Sequence, residues 1–277
     1  MEKEFIVTCL VNDCVLFGSN YWAEHGQSFL IETKGGKILF DTGMTSKIIS
    51  HNLRVSKKNI RDLNSIAISH GHNDHTGGLR WVVEEVNNPI IYGAPELFEE
   101  KWIKREGVYE EIGIPFTQEL LAEKAKIILS HNEIELLPGV YLSGEIPRIY
   151  DEESADPDNW LEKDENGLID EFPDDRSLIL EKDEGLIILT GCCHAGLINT
   201  IDYSIKLLSK PVLAIVGGNH LINSTTDKLE WTFKQLQKHK IPKLLFNHCV
   251  GLNVYSKLLV EFPNVTHYFY SGDIASL

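Results

Sequence analysis

The chain is short of cationic side chains. Against 41 Asp and Glu it carries 26 Lys and Arg, a formal charge of −15 over 277 residues, and no Lys/Arg-rich block reverses that sign locally. A surface of this sign repels a phosphate backbone, so nucleic acid is excluded as an expected partner. Cysteine is scarce and odd in number: Cys9, Cys14, Cys192, Cys193 and Cys249 do not make a disulfide framework and read as reduced thiols of a cytoplasmic protein. Long apolar runs are missing too. No stretch approaches the roughly 20 residues of a membrane span, and Met1-Glu2-Lys3-Glu4 leads into a strand-like run, not a secretory apolar segment. Fixed-period repeats and low-complexity tracts are absent. What remains is ordinary globular composition, 43% hydrophobic and 24% charged, long enough for a sizeable core.

Residues 5–11, 27–33 and 37–41 have strand character, the last two joined around Gly35-Gly36 as a hairpin whose glycines supply positive φ. Residues 44–53 have helical spacing, 65–69 form a short buried strand, and 79–86 a helix. A strand is predicted over 89–92 and a helix over 95–104, entered through Pro95. Residues 105–136 carry a weaker mixture, which makes 89–136 a candidate insertion. Residues 147–176 combine Pro147, Pro157 and Pro173 with a dense acidic series from Asp151 to Asp175. Too polar for core and too long for a plain connection, this stretch is expected to be a flap over the site or a solvated surface excursion. Beyond it strand and helix alternate: 177–181 and 185–190 as a hairpin, then helix 197–208, strand 212–216, helix 226–239, strand 243–246, helix 254–262 and strand 265–270. An antiparallel opening and an alternating end predict one α/β (α+β) domain spanning residues 1–277.

The densest chemistry lies in Ser69-His70-Gly71-His72-Asn73-Asp74-His75-Thr76-Gly77-Gly78. In an extended chain residues i and i+2 point to one side, so His70 and His72, leaving the strand, can reach one metal ion. Asp74 and His75 follow where the chain must turn into a helix, and a hard carboxylate beside an imidazole suits a second ion close by. Gly71, Gly77 and Gly78 let the backbone pass near the cluster without a Cβ. A lone histidine is usually structural; three histidines and one aspartate in six positions are a metal site. By the same standard His25, His51, His131, His239 and His267 have no constellation around them and are given no role.

This run resembles the histidine motif of the metallo-β-lactamase superfamily, and Phe40-Asp41-Thr42-Gly43 resembles its first motif, whose aspartate supports the metals. With Thr190-Gly191-Cys192-Cys193-His194-Ala195-Gly196, Gly217-Gly218-Asn219-His220-Leu221 and Asn247-His248-Cys249-Val250-Gly251, the pattern is similar to one branch. That branch comprises 7,8-dihydropterin-6-methyl-4-(β-D-ribofuranosyl)aminobenzene-5′-phosphate synthase and its bacterial relatives. The resemblance implies a four-layer αβ/βα sandwich with metals at one edge between two sheets. It implies that His70 and His72 bind a first ion and Asp74, His75 and His248 a second. Many members carry a bridging aspartate at the position of Cys192; with cysteine there, His194 is the replacement ligand that completes the first site. Cys192 and Cys193 are expected to pack as small hydrophobes. His220 ends a strand at the same edge, as a substrate or outer-shell contact or as a plain turn histidine. Glu145 stands where members often place another metal histidine. Arg148 and Arg176, bordering the acidic stretch, either receive an anion or pair with their neighbours.

The expected protein is a metal-dependent hydrolase or transferase with two divalent ions, zinc by default and iron or manganese otherwise. The ions would activate water or polarise a carbonyl or phosphoryl oxygen of a small anionic, pterin- or phosphate-bearing substrate, with Asp74 as candidate proton acceptor. Two other readings compete: an iron-dependent oxidoreductase on the same scaffold, and a metal-binding sensor without catalysis. No membrane partner is expected, and the oligomeric state is not legible.

Overall fold

The computed structural model describes residues 4–153, 159–160 and 169–277. Two seven-stranded mixed sheets carry the fold. The first runs in the order Ile274–Ser276, Ile6–Val11, Ser28–Thr33, Gly36–Phe40, Ser65–Ala67, Ile90–Gly93, Lys126–Leu129. The second runs Thr266–Tyr268, Lys243–Phe246, Val212–Gly217, Leu186–Thr190, Ser177–Glu181, Val140–Leu142, Ile134–Leu137.

Side-chain alternation explains the layering. Phe29, Ile31, Ile38 and Phe40 of the first sheet meet Leu178, Leu180, Ile187, Leu189 and Val216 of the second in one core. Their neighbours point the other way. Leu30, Leu39 and Ile66 pack on Ile49 and Leu53 of helix Ser46–Ser56 and on Leu79, Val82 and Val83 of helix Leu79–Glu85. Ile188, Ile215 and Leu244 pack on Leu197, Ile198 and Ile201 of helix Leu197–Leu208, Leu229 and Leu236 of helix Thr226–His239, and Val254 and Leu258 of helix Leu252–Glu261. Helix, sheet, sheet, helix is the four-layer αβ/βα order that the resemblance implied. Among the described residues no helix is long and apolar enough to cross a membrane.

Strands Gly36–Phe40 and Ser65–Ala67 are parallel, as are Leu186–Thr190, Val212–Gly217 and Lys243–Phe246. The carboxyl end of each is followed by one of the singled-out motifs: Asp41, His70, Cys192, His220 and His248. Parallel strands end at one edge, so five distant stretches of sequence are delivered to one place.

Several expectations need correction. Residues 95–104 are not a helix: a 3₁₀ turn at Pro95–Phe98 gives way to strand Trp102–Arg105. Lys101, between them, is drawn inward to Asp170 and Asp174, a tertiary contact that overrides local spacing. Within the candidate insertion 89–136, Ile90–Gly93 and Lys126–Leu129 are strands of the first sheet, and the hairpin Trp102–Arg105/Val108–Glu111 leaves it to pair with Asn159–Trp160 in a small third sheet. Of the hairpin glycines only Gly36 takes positive φ, 147°, where a Cβ would lie 2.0 Å from Asn64 Oδ1.

The two ends of the acidic stretch are more buried than their composition suggests. Residues 154–158 and 161–168 lie outside the described residues, but Glu153, Asp170, Asp174, Asp175 and Arg176 are all at most 2% exposed. They are interior because each carboxylate meets a backbone N–H or Lys101: Glu153 accepts from Ile198 N and Asn199 N, both at 2.8 Å, and the aspartates are paired as described below.

Candidate metal centre

His70 and His72 leave strand Ser65–Ala67 through Gly71, and Asp74 and His75 sit on the one-turn helix Asn73–Thr76. The turn is tight: a Cβ on Gly77 would lie 2.0 Å from Met44 O. One ligand atom from each of His70, His72 and His194 lies within 4.8 Å of the others. His70 Nε2 and His72 Nδ1 are 3.0 Å apart, and the three ring centroids are separated by 4.6, 4.8 and 5.0 Å. Phe172 stacks on His194 at 3.8 Å and 3°, which fixes that ring.

Tautomers follow from the partners. Ser69 Oγ lies 2.8 Å from Asp41 Oδ2 and 2.8 Å from His70 Nδ1. With the hydroxyl donating to the carboxylate, His70 Nδ1–H donates to Ser69 Oγ and Nε2 keeps its lone pair. Burial pushes His70, His72 and His194 well below the usual imidazole range, so all three are neutral and available as ligands.

The second group is Asp74, His75, Cys192 and His248, again with one ligand atom each within 4.8 Å. Asp74 Oδ2 lies 3.5 Å from His75 Nε2 and 3.2 Å from His248 Nε2, and Cys192 Sγ lies 3.3 Å from His75 Nε2. His75 Nδ1 is held by Asp41 Oδ2 at 2.7 Å and His248 Nδ1 by Asp13 Oδ1 at 2.9 Å. Burial alone would raise the Asp74 carboxyl, but His75 and His248 hold it well below the carboxylate range. Burial alone would lower both imidazoles, yet Asp74 and Asp41 raise His75, and hydrogen bonds to Asp13 and Asp74 raise His248.

The donor sets fit metal ions. At metal–nitrogen distances of about 2.0–2.1 Å, tetrahedral ligand nitrogens stand about 3.3 Å apart, close to the 3.0 Å between His70 and His72. Nε2 of His194 is buried with no hydrogen-bond partner, a costly state that an ion at the first group would relieve. Asp41, Cys193, His220 and His248 all take positive φ, between 46° and 63°. Strained backbone at non-glycine residues persists where surrounding structure over-determines it.

Beneath the ligands lies a support that the sequence did not reveal. Asp174 Oδ2 accepts from Gly71 N at 2.7 Å, Asp175 Oδ2 from Ala195 N at 2.9 Å, and Ser69 O from Arg176 N at 2.8 Å. Lys101 Nζ bridges Asp170 at 2.9 Å and Asp174 at 3.1 Å. Arg148 donates to backbone carbonyls of Glu171 and Glu153, and Arg176 Nη1 to those of Pro173 and Asp175, while Arg176 Nε and Nη2 are buried without a partner. Glu145 is not brought to the site: its side chain is 56% exposed and lies 3.7 Å from His131.

His25, given no role from sequence, stands at the mouth of the second group, 3.5 Å from Asp74 Oδ2 and 3.5 Å from Asp13 Oδ2. Cys192, expected to pack, faces Asp74, His75 and His248, whereas Cys193 does pack, with Sγ 3.4 Å from Thr200 Oγ1. No local pattern marks Asp13 and His25, since neither lies in a repeat or spacing that betrays its neighbours.

Asp175 offers a pH test. Burial pushes its carboxyl up to about 6, against about 3.9 in an unfolded chain. Between those values the folded state holds a proton that the unfolded state has released, so stability falls as pH rises through the window. The penalty is complete above the folded value, at roughly 3 kcal/mol. In the metal-free chain, Asp175→Asn is expected to gain stability relative to the parent by about that amount between pH 4 and pH 7, measured by urea unfolding. A parent-to-variant difference that does not change with pH would refute the buried ionisation.

Comparison with known proteins agrees with this architecture. The model of the metallo-β-lactamase superfamily matches residues 21–187. A protein of Methanocaldococcus jannaschii named 7,8-dihydropterin-6-methyl-4-(β-D-ribofuranosyl)-aminobenzene-5′-phosphate synthase is 32% identical over 279 aligned positions, covering 96% of this chain and 94% of that one. The crystal structure of Tm1679, described as a metal-dependent hydrolase of the β-lactamase superfamily, superposes with a TM-score of 0.83 at 23% identity over 99% of both chains. Zinc-bound PqqB from Methylobacterium extorquens shares the fold at a TM-score of 0.60 and 13% identity, covering 98% of this chain and 100% of that one. The chain therefore belongs to the metallo-β-lactamase superfamily.

Proposed function

We propose that the chain is a metal-dependent hydrolase or transferase holding two divalent ions, zinc foremost, one at His70, His72 and His194 and the other at Asp74, His75 and His248. The observation that carries this reading is the meeting of two buried donor groups from three distant motifs, with His194 Nε2 left without a protein partner. Bound there, the two ions would supply Lewis acidity for activating water or polarising a carbonyl or phosphoryl oxygen.

The chain's own residues do the rest. Ser69 and Asp41 set the tautomers of His70 and His75, and Asp13 orients His248. Asp74, ionised at neutral pH, takes the proton of the attacking water. A cavity of about 840 Å³ adjoins the first group and is lined by Phe172, His194, Asn219, His220, Lys228 and Trp231 among others, a size suited to a small heterocyclic substrate. Glu152, Glu153 and Asp227 also line it, which directs an anionic group of the substrate toward Lys228. Phe172 and Trp231 present aromatic faces for stacking. The name of the Methanocaldococcus relative supports a pterin- or phosphate-bearing substrate.

Metal content by elemental analysis tests this reading on tag-free, zinc-reconstituted protein. The parent is expected to hold at least two equivalents, Asp74→Ala one fewer, and His70→Ala/His72→Ala also one fewer. A parent that holds less than one equivalent after reconstitution would remove the basis for the proposal.

A further inference from the structure

Two donors are left unused by the two-ion reading, and they face a third that it uses only in passing. One ligand atom from each of Cys192, His220 and Cys249 lies within 4.8 Å of the others. They follow three adjacent parallel strands whose last residues are in register, Thr190 with Gly217 and Gly217 with Phe246. The sheet itself therefore brings them together.

The approach is close by construction. A Cβ on Gly218 would lie 2.4 Å from Gly191 O and 2.6 Å from Cys249 Sγ, so only glycine lets these strand ends draw in. His220, at φ 46°, turns its backbone N–H onto Cys249 Sγ at 3.1 Å. Its ring packs 4.3 Å from that of His194, and its Nδ1 is buried without a partner. Cys192 and Cys249 are 4% and 7% exposed.

Packing explains two buried thiols as small hydrophobes. It does not explain an unpartnered imidazole nitrogen beside them, which costs free energy unless something accepts or supplies a bond. Two sulfurs and one imidazole form a donor set that selects zinc or cadmium over magnesium or manganese, and three protein ligands leave a coordination position open.

We propose that Cys192, His220 and Cys249 form a third, thiophilic metal position beside the two-ion pocket, with Cys192 shared with the Asp74, His75 and His248 group. Cys192 Sγ stands 3.3 Å from His75 Nε2 and so belongs to both donor groups. The inference extends the two-ion reading and rests on it for the neighbouring ion, but Cys249 and His220 belong to the third position alone.

Cadmium titration of the full, metal-free chain tests it, followed by elemental analysis and by sulfur-to-cadmium charge-transfer absorption. The parent is expected to take three equivalents with charge-transfer absorption. Cys249→Ser should take two, with that absorption reduced about by half. Cys193→Ser, a buried cysteine outside the group, should match the parent. A parent without the absorption, or a Cys249→Ser chain that keeps both the third equivalent and the full absorption, overturns the third position. His70→Ala/His72→Ala separates the two readings: it should lose one equivalent and keep the absorption, and an unchanged stoichiometry there would count against the two-ion reading instead. Should Cys249→Ser fail to fold, ¹¹³Cd NMR of the unaltered chain decides: a resonance in the multi-sulfur range supports the position, and its absence overturns it.

Discussion

Asp41→Asn is expected to weaken metal binding at the Asp74, His75 and His248 group by about 10–100-fold while leaving the fold in place. Asp41 is fully buried and accepts three hydrogen bonds, from Ser69 N at 2.7 Å through Oδ1, and from Ser69 Oγ at 2.8 Å and His75 Nδ1 at 2.7 Å through Oδ2. Asparagine fits the same space but has one acceptor. The Ser69 backbone N–H claims it, which places the new NH₂ against His75 Nδ1. That nitrogen must then accept, its proton moves to Nε2, and Nε2 loses the lone pair that a metal needs. The logic is that of an asparagine at the buried aspartate of a Ser-His-Asp triad, where the wrong tautomer and not lost geometry removes function. Competition with a chromophoric chelator measures the affinity at each position, and circular dichroism checks the fold. Parent affinity at the second position in Asp41→Asn would show that His75 takes its tautomer from elsewhere.

Lys101→Ala is expected to destabilise the chain by about 3–5 kcal/mol. The ammonium and both its carboxylate partners have side chains no more than 2% exposed, so removing the cation strands two charges in the interior. Burial lowers the Lys101 pKa on its own, but Asp174 and Asp170 outweigh it and hold the lysine charged. The damage should reach the site as well: Asp174 holds the backbone of Gly71 between His70 and His72, and Lys101 Nζ lies 5.5 Å from the centre of the Phe172 ring that stacks on His194. Removing all the charge is a different experiment. Lys101→Met with Asp170→Asn and Asp174→Asn should recover more than half of the loss, because no uncompensated charge remains. Urea unfolding of the three chains measures this, and a Lys101→Ala cost below about 1 kcal/mol would mean that water already reaches the triad.

These two residues differ in how far they could be read in advance. Asp41 sits in a short motif beside a strand, and its supporting role follows from resemblance alone. Lys101 lies where helical spacing was expected, and its partners are 69 and 73 positions away. The histidine run was legible because its geometry is local: alternation along a strand end puts His70 and His72 on one side, and the turn into a helix presents Asp74 and His75. His194, His220 and His248 carry no such local cue. They were found because motifs resembled a family, and their grouping was a consequence of parallel register between strands.

Helices 197–208 and 226–239 were readable to the residue, since each carries an apolar face with long-range periodicity and clear ends. Strand Ile274–Ser276 was not, because three residues hold too little alternation to outweigh their neighbours. The acidic stretch shows the limit most sharply. Composition is a property of the chain alone, and a run rich in Asp and Glu reads as solvated. Burial of Asp174 and Asp175 depends on which N–H groups and which cation come to meet them, and those are supplied by Gly71, Ala195 and Lys101 from other parts of the fold. The sequence by itself determined the alternation of strands and helices and the local cluster of His70, His72, Asp74 and His75, because both depend on side chains a few positions apart. The tertiary structure alone decided which carboxylates support those ligands, where His25 stands and which sulfurs face one another, because each of those depends on through-space distance between segments whose separation along the chain carries no signal.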